Sequence, residues 1–98
     1  MHGHNYFVYI ITNPGRTVLY TGVTNDLRVR LDQHKVNRGK PESFAGRYYC
    51  YQLLYYEWYT YVQHAIEREK ELKLLSREQK MTLIKSENPY LRFLKVDD

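Results

Sequence analysis

Three polar side chains that can bind phosphate, metal ions or protons lie on predicted helices, two of them on the packed faces and Arg30 just to one side of one. Arg30 and His34 are four residues apart, so they are neighbours on one helix, and His34 falls between that helix's apolar positions. Glu69 falls inside the apolar stripe of a second helix. A carboxylate on a packed face is costly unless it is paired or binds a metal ion. The pattern therefore predicts either a structural Glu69–Arg30 ion pair or a site where Glu69 holds a cation.

Three segments of the chain have the composition of buried or half-buried strands. They cover residues 6–11, 17–23 and 48–58, which are rich in β-branched and aromatic side chains. Between the first two, Pro14 and Gly15 predict a type II turn, because proline fixes φ and glycine accepts a positive φ. The first two strands are therefore expected to form a hairpin.

Capping residues mark three helices. The expected caps are Thr24, Asn25 or Asp26 for the first, Thr60 with Gln63 for the second, and Ser76 with Gln79 for the third. The first helix should end near residue 35, and the other two should cover residues 61–75 and 77–86. A loop is expected over residues 37–46. The order β-β-α-β-α-α predicts an α+β fold, a small three-stranded antiparallel sheet flanked by helices. We expect one domain over residues 1–98, with its core at about 6–94.

Composition restricts the class of partner and compartment. Lysine and arginine total 15 against 11 acidic residues, and the resulting formal charge of +4 suits a polyanionic partner. The single Cys50 excludes an internal disulfide, which fits a reducing cytoplasm. No apolar run is long enough to span a bilayer and no signal-peptide pattern opens the chain, so we expect a cytoplasmic protein without membrane contact. The polar start, with His2 and His4, is expected to be a frayed end.

Two tripeptides on the first two strands are similar to the motifs that name the GIY-YIG nuclease superfamily. "FVY" ends in Tyr9, and "YTG" begins eleven residues later. The family's helix arginine falls on Arg30, and its histidine or tyrosine one turn later falls on His34. Its metal-binding glutamate falls on Glu69, within "IEREKELK". The chain thus resembles the small stand-alone bacterial members over nearly its whole length.

The resemblance implies a role for each of five residues in cutting a phosphodiester. Tyr9 would be the general base, assisted by Tyr20. Arg30 would bind phosphate oxygens with its planar fork, and His34 would position the scissile phosphate or protonate the leaving group. Glu69 would anchor Mg²⁺ or Mn²⁺, hard cations that accept one carboxylate together with waters and phosphate oxygens.

Further residues are expected to contact DNA, either duplex or branched. Arg38, Lys40 and Arg47 come from the loop or its end and would bind phosphates. Tyr48 would stack on a base. Asn88 would either hydrogen-bond near the site, as in some relatives, or cap a turn beside Pro89.

The chain departs from the family pattern at a few positions. Phe7 stands where the family name has glycine, and Thr21 replaces isoleucine. Leu19 stands where some restriction-enzyme members have a lysine thought to lower the pKa of the tyrosine. Ala45 and Gly46 replace a frequent Thr-Lys pair, and "NPYLRFL" departs from the family's usual ending. The resemblance therefore does not say what activates Tyr9 here.

These patterns support more than one function. Taken alone, Tyr9 and Tyr20 fit packing aromatics and His34 fits a satisfied helix histidine. Taken together, the five positions carry the resemblance, which implies a divalent-metal-dependent DNA endonuclease acting in repair, recombination or processing. The alternatives are a nucleic-acid-binding module of the same fold with little activity, or a nuclease subunit that needs a partner protein.

Overall fold

The computed structural model describes residues 5–96, which form three strands and four helices. The strands are β1 (Tyr6–Thr12), β2 (Leu19–Thr24) and β3 (Gln52–Tyr59), and the helices are α1 (Leu27–Val36), α2 (Phe44–Arg47), α3 (Val62–Leu74) and α4 (Arg77–Glu87). The α+β prediction is confirmed, and the short helix α2 is the one element added to the predicted order. The expectation for His2 and His4 lies outside the described residues.

The sheet has the strand order β2-β1-β3, with both pairs antiparallel. β1 is central because its almost unbroken apolar sequence can be buried on both faces. Val8 and Ile10 pack on the side of α3 and α4, whereas Tyr9 and Ile11 pack with Leu27 of α1 on the other side. Because successive side chains of β1 point to opposite faces of the sheet, Tyr9 faces α1.

Helix α1 begins where the sequence predicted. Asp26 is the N-cap, and its Oδ1 accepts a hydrogen bond of 3.1 Å from the Val29 N–H. Leu27 and His34 are the buried residues of this helix, two turns apart on one face. His34 therefore faces the sheet, as its angular position predicted.

The turn between β1 and β2 differs from the predicted type. Gly15 does not take the positive φ of a type II turn; Arg16 does, with φ 59°. The Asn13 side-chain oxygen accepts hydrogen bonds from the N–H groups of Thr17 and Val18, at 2.8 and 3.0 Å. Arg16 is also held from a distance, because its guanidinium lies 3.9 Å from the ring centre of Phe93. These side-chain contacts decide the turn type.

The prediction that the third strand starts at residue 48 is wrong, because β3 begins at Gln52. The predicted loop over residues 37–46 ends earlier than expected, because α2 begins at Phe44. Ser43 caps α2 by accepting from the Gly46 N–H at 3.0 Å. The chain then reverses through Tyr49, which has φ 60°. The Cys50 N–H donates to the Ala45 carbonyl at 2.8 Å, so this segment is closed on itself before β3 begins.

Of the two predicted capping boxes, one is present. Ser76 accepts from the Gln79 N–H at 3.1 Å and its own N–H donates to Gln79 Oε1 at 2.9 Å, which confirms the box of α4. The Thr60 box is wrong, because α3 begins one residue later than it requires. Its N-cap is Tyr61, which has extended backbone and no side-chain cap bond.

Candidate active site

The hydroxyl of Tyr9 lies between two side chains of α1. Its Oη is 2.8 Å from His34 Nε2, and Arg30 Nε donates to the same oxygen at 3.4 Å. Because the arginine has only donors, the tyrosine oxygen accepts from it. In the neutral imidazole tautomer that carries its proton on Nδ1, Nε2 is the acceptor and the Tyr9 hydroxyl donates to it. Thus β1 and α1 bring together three residues that are 21 to 25 positions apart.

Burial fixes the protonation states of this pair. It raises the pKa of Tyr9 to about 12, although the hydrogen bond and charge of Arg30 act in the opposite direction. Burial also lowers the pKa of His34 to about 4, and the positive charge of Arg30 adds to that effect. At neutral pH the proton therefore stays on Tyr9, in agreement with the direction of the hydrogen bond.

Gly22 makes room for the Tyr9 ring. The two residues are cross-strand partners in the β1–β2 pair. A Cβ at position 22 would lie 2.6 Å from Tyr9 Cζ and closer still to the hydroxyl oxygen. The glycine of the "YTG" tripeptide is therefore required by the tyrosine of "FVY".

Tyr20 reaches the same site from β2. Its ring meets the His34 ring edge-on at 5.6 Å between centres, in the same manner as Tyr9 at 5.7 Å. On its other side, Tyr20 stacks on Phe44 of α2 at 6.2 Å. Four of the five residues expected to be catalytic are therefore linked by direct contacts.

Glu69, the fifth, lies on the packed face of α3 between the buried Ala65 and Leu72. Its side chain is only 16% exposed. The alternative of a Glu69–Arg30 ion pair is wrong, because the carboxylate instead contacts Lys73 Nζ at 3.3 Å on its own helix. Its negative charge nevertheless contributes to the raised pKa of Tyr9, after the effects of burial, Arg30 and Tyr20. The carboxylate thus acts on the tyrosine through its field.

A neighbouring ion pair fixes α3 against the sheet. Arg68 donates to both oxygens of Glu57 on β3, at 2.9 and 3.0 Å. The hydroxyls of Tyr55 and Tyr59 donate to the same carboxylate. Burial opposes ionisation of Glu57, but these hydrogen bonds outweigh it and hold the pKa of the carboxyl below its usual value. Since Arg68 precedes Glu69 directly, this pair also fixes the position of the carboxylate.

The donor set suits a hydrated hard cation. Within residues 5–96 no three His, Cys, Asp or Glu side chains form a group able to enclose a metal ion. Mg²⁺ does not require such a group, because it keeps several waters and binds through one or two carboxylates plus substrate phosphate. Glu69 is a hard oxygen ligand, and its paired Lys73 is half-exposed to solvent. The residues present therefore fit Mg²⁺ or Mn²⁺ bound through Glu69.

Comparison with known proteins decides the family. The model of the GIY-YIG catalytic domain matches residues 5–82. The chain belongs to the GIY-YIG family.

The relatives of this GIY-YIG protein are small proteins of similar length. It is 38% identical over 80 residues to a UPF0213 protein of Staphylococcus epidermidis, covering 81% of this chain and 93% of that protein. It is 35% identical over 81 residues to a UPF0213 protein of Staphylococcus aureus, covering 83% and 95%. The solution NMR structure of a UPF0213 protein from Bacillus halodurans superimposes with a TM-score of 0.55 at 29% identity, covering 88% of each chain.

The basic residues expected to contact DNA in this GIY-YIG chain are exposed around α2. Arg38 donates to the Lys35 carbonyl at 2.6 Å, and its guanidinium lies 5.7 Å from the ring centre of Tyr51. Arg47 donates to the Pro41 carbonyl at 3.1 Å. Lys40 and Tyr48 are exposed beside them. No helix within residues 5–96 is both long and apolar enough to cross a bilayer.

Asn88 is buried and hydrogen-bonded to the backbone within the fold. It is only 6% exposed, and its side-chain amide donates to the carbonyls of Leu54 and Arg92 at 3.0 and 2.8 Å. Its oxygen accepts from the Arg92 N–H at 3.0 Å. These bonds favour the turn-capping alternative, and we do not assign Asn88 a contact with DNA.

Sequence reasoning missed two residues that belong to the site. Phe44 stacks on Tyr20, and Gln33 accepts a hydrogen bond of 2.9 Å from Arg30 Nη1. The contact of Gln33 with Arg30 could have been predicted from the sequence, because residues three positions apart on a helix are neighbours. Phe44 lies in a segment that was predicted to be a loop, and a loop has no repeating pattern that would place its ring.

Proposed function

We propose that this protein is a divalent-metal-dependent DNA endonuclease that hydrolyses phosphodiester bonds in DNA repair, recombination or processing. The observation that carries the proposal is the Tyr9 hydroxyl, which is held between a neutral His34 acceptor and the Arg30 guanidinium. A buried tyrosine hydroxyl needs one hydrogen-bond partner in any case, but the pairing of an imidazole acceptor with a cation exceeds what burial alone requires. The arrangement suits a general base, because the proton already on the Tyr9 hydroxyl can pass to His34 Nε2.

The geometry supports a proton relay. As the attacking water approaches phosphorus, it gives a proton to Tyr9 Oη while the Tyr9 proton passes to His34 Nε2. The water oxygen forms the new bond to phosphorus, and the bond to the leaving oxygen breaks. The negative phosphodiester favours the imidazolium form of His34, because opposite charges attract. Some family members have a lysine at the position of Leu19 that is thought to activate the tyrosine. In this scheme His34 activates Tyr9 instead.

Charged residues stabilise the negative charge that develops in the reaction and bind the phosphates of the DNA. Arg30 stabilises negative charge on the tyrosine oxygen and on the phosphate, since its guanidinium is cationic and presents a planar fork of donors. Bound through Glu69, Mg²⁺ or Mn²⁺ supplies neutralisation of charge at the phosphate and at the leaving oxygen. Arg38, Lys40 and Arg47 hold the flanking phosphates, so binding to DNA should weaken steeply with salt.

The deciding experiment is cleavage of duplex, branched and single-stranded DNA with and without Mg²⁺ or Mn²⁺. Chelation should abolish cleavage by the wild type. Glu69→Ala should do the same while preserving the thermal melt and DNA binding. Glu67→Ala, a neighbouring exposed carboxylate on α3, is the matched control and should cut normally. Normal cleavage by Glu69→Ala would refute Glu69 as the metal ligand.

A second experiment tests the role of Tyr9 as the general base. Tyr9→Phe keeps the ring and removes the hydroxyl, so folding should lose only about 1 kcal/mol. Single-turnover cleavage should fall by about 10² or more, the usual contribution of a positioned proton acceptor. Tyr56→Phe is the control, because Tyr56 pairs with Tyr9 across the sheet but is exposed. DNA binding by the wild type without cleavage on any substrate would favour the binding module or the partner-dependent subunit.

A further inference from the structure

A row of aromatic rings leads from the candidate active site to the surface. His34 touches Tyr20, Tyr20 stacks on Phe44, and Phe44 contacts Tyr48 at 4.8 Å between ring centres. The inner end of the row is buried, whereas Phe44 and Tyr48 are 49% and 44% exposed. The two exposed rings adjoin each other at the edge of the site, so they form a flat apolar surface on which a planar ligand can stack.

The fold holds Phe44 rigidly in this exposed place. Phe44 is the first residue of α2, directly after its cap Ser43. A Cβ at Gly46 would lie 2.7 Å from the Asn37 carbonyl oxygen and 2.5 Å from that of Lys40, so α2 is packed tightly against the preceding segment. The Gly39 N–H also donates to the Gly46 carbonyl at 2.7 Å. A flat ring is therefore presented at the surface with little conformational freedom to lose on binding.

Phe44 also lines an open hollow beside the site. Val18 and Leu19 of the segment that enters β2 form its apolar part. Arg77 and Lys80, at the start of α4, form a cationic side. The Arg77 guanidinium is held toward β2, because it donates to the Arg16 carbonyl at 3.3 Å. An apolar surface next to two cations is complementary to a flat base attached to a phosphate.

We propose that this hollow binds an unpaired nucleobase of the DNA, stacked on Phe44, with its phosphate facing Arg77 and Lys80. The inference rests on the proposed function and specifies its substrate class. The neighbouring phosphate then lies at Tyr20 and the Tyr9–His34 pair. The substrate is DNA that is single-stranded next to the scissile phosphate, either a free single strand or the single-stranded arm of a branch. A base inside a continuous duplex is already stacked on both sides, and extruding it costs free energy.

Binding without turnover tests the stacking site separately from cleavage. In Glu69→Ala protein without metal, fluorescence anisotropy is measured with a labelled single strand, a blunt duplex and a duplex with a single-stranded flap. Phe44→Ala should weaken binding of the single strand and the flap by about 5- to 150-fold, the usual effect of removing one stacking platform. Affinity for the blunt duplex should be unchanged. Tyr61→Ala, which removes another exposed aromatic residue from α3's N-terminus, is the control and should leave all three affinities unchanged.

A tryptophan at position 44 gives a direct signal of stacking. The chain has a single tryptophan, Trp58, so Phe44→Trp is made together with Trp58→Phe. Single-stranded DNA should quench this variant's fluorescence and the blunt duplex should not. The proposal is overturned if the duplex quenches equally, or if Phe44→Ala weakens duplex and single strand by the same factor or neither.

The two proposals fail in different ways. A wild type that cuts blunt duplex as fast as flap DNA, with Phe44→Ala unchanged in kcat/KM, refutes the base site and leaves the nuclease intact. A wild type that cuts nothing, but loses single-strand binding on Phe44→Ala, refutes the nuclease and leaves the base site intact.

Discussion

Replacing His34 should remove an acid-sensitive part of the protein's stability. His34 is 6% exposed and its pKa is lowered to about 4 in the folded protein, against 6.5 for a free histidine. Between these two values the unfolded chain binds a proton that the folded protein does not. Folding stability therefore falls as the pH falls from about 6.5 to about 4, and the titration of His34 has no effect on it above that window.

The magnitude follows from the size of the shift. About 2.5 pKa units correspond to about 3 kcal/mol when the pH reaches 4, and to about 2 kcal/mol at pH 5. No large reduction for solvent screening applies, because the ring is enclosed by Tyr9, Tyr20 and Arg30. His34→Gln should lower stability at pH 7 through lost packing. Its further loss between pH 7 and pH 5 should be about 2 kcal/mol smaller than that of the wild type.

Urea unfolding at half-unit steps from pH 7.5 to pH 4.5, followed by circular dichroism, measures the difference. Carboxylates that titrate in this range are common to both proteins and cancel in the comparison. His64→Gln is the control, because His64 is exposed on α3, and it should follow the wild-type profile. Parallel profiles for wild type and His34→Gln would refute the neutral, buried imidazole and with it the direction of the Tyr9–His34 hydrogen bond.

Three further predictions concern the supports of the site. Gly22→Ala should displace the Tyr9 ring, cost about 1–3 kcal/mol in overpacking and reduce cleavage, measured by melting and single-turnover assays; unchanged cleavage would contradict the required close approach. Arg68→Ala should cost about 2 kcal/mol, because it leaves the partly buried Glu57 carboxylate without its cation, and should raise the Mg²⁺ concentration needed for half-maximal cleavage; a metal titration unaffected by the change would disprove the positioning role. Ser76→Ala should lower stability by about 1 kcal/mol through the lost cap, with cleavage per folded molecule unchanged.

Local features of the sequence were sufficient for the order of the three strands and the three longer helices and for the faces of those helices. The periods of helices and strands repeat over a few residues, so the inward positions of His34 and Glu69 followed from their neighbours alone. The Asp26 and Ser76 caps followed for the same reason, because a cap acts within one turn. The family motifs added the expectation that Tyr9 and Tyr20 belong with these helix residues.

Tertiary structure decided every feature that depends on residues far apart in the chain. The positive φ moved from Gly15 to Arg16, which contacts the distant Phe93. The predicted pair between Glu69 and the distant Arg30 did not form, and Glu69 pairs instead with Lys73 on its own helix. Helix α2 was missed because a four-residue helix has no detectable period.

The Tyr9–His34 hydrogen bond is the clearest case. It joins residues 25 positions apart, and its direction depends on burial that no local pattern reports. The sequence by itself determined which side chains face inward. Only the packing of α1 on β1 determined which atoms meet, because desolvation and hydrogen-bond geometry depend on the complete surroundings of each group.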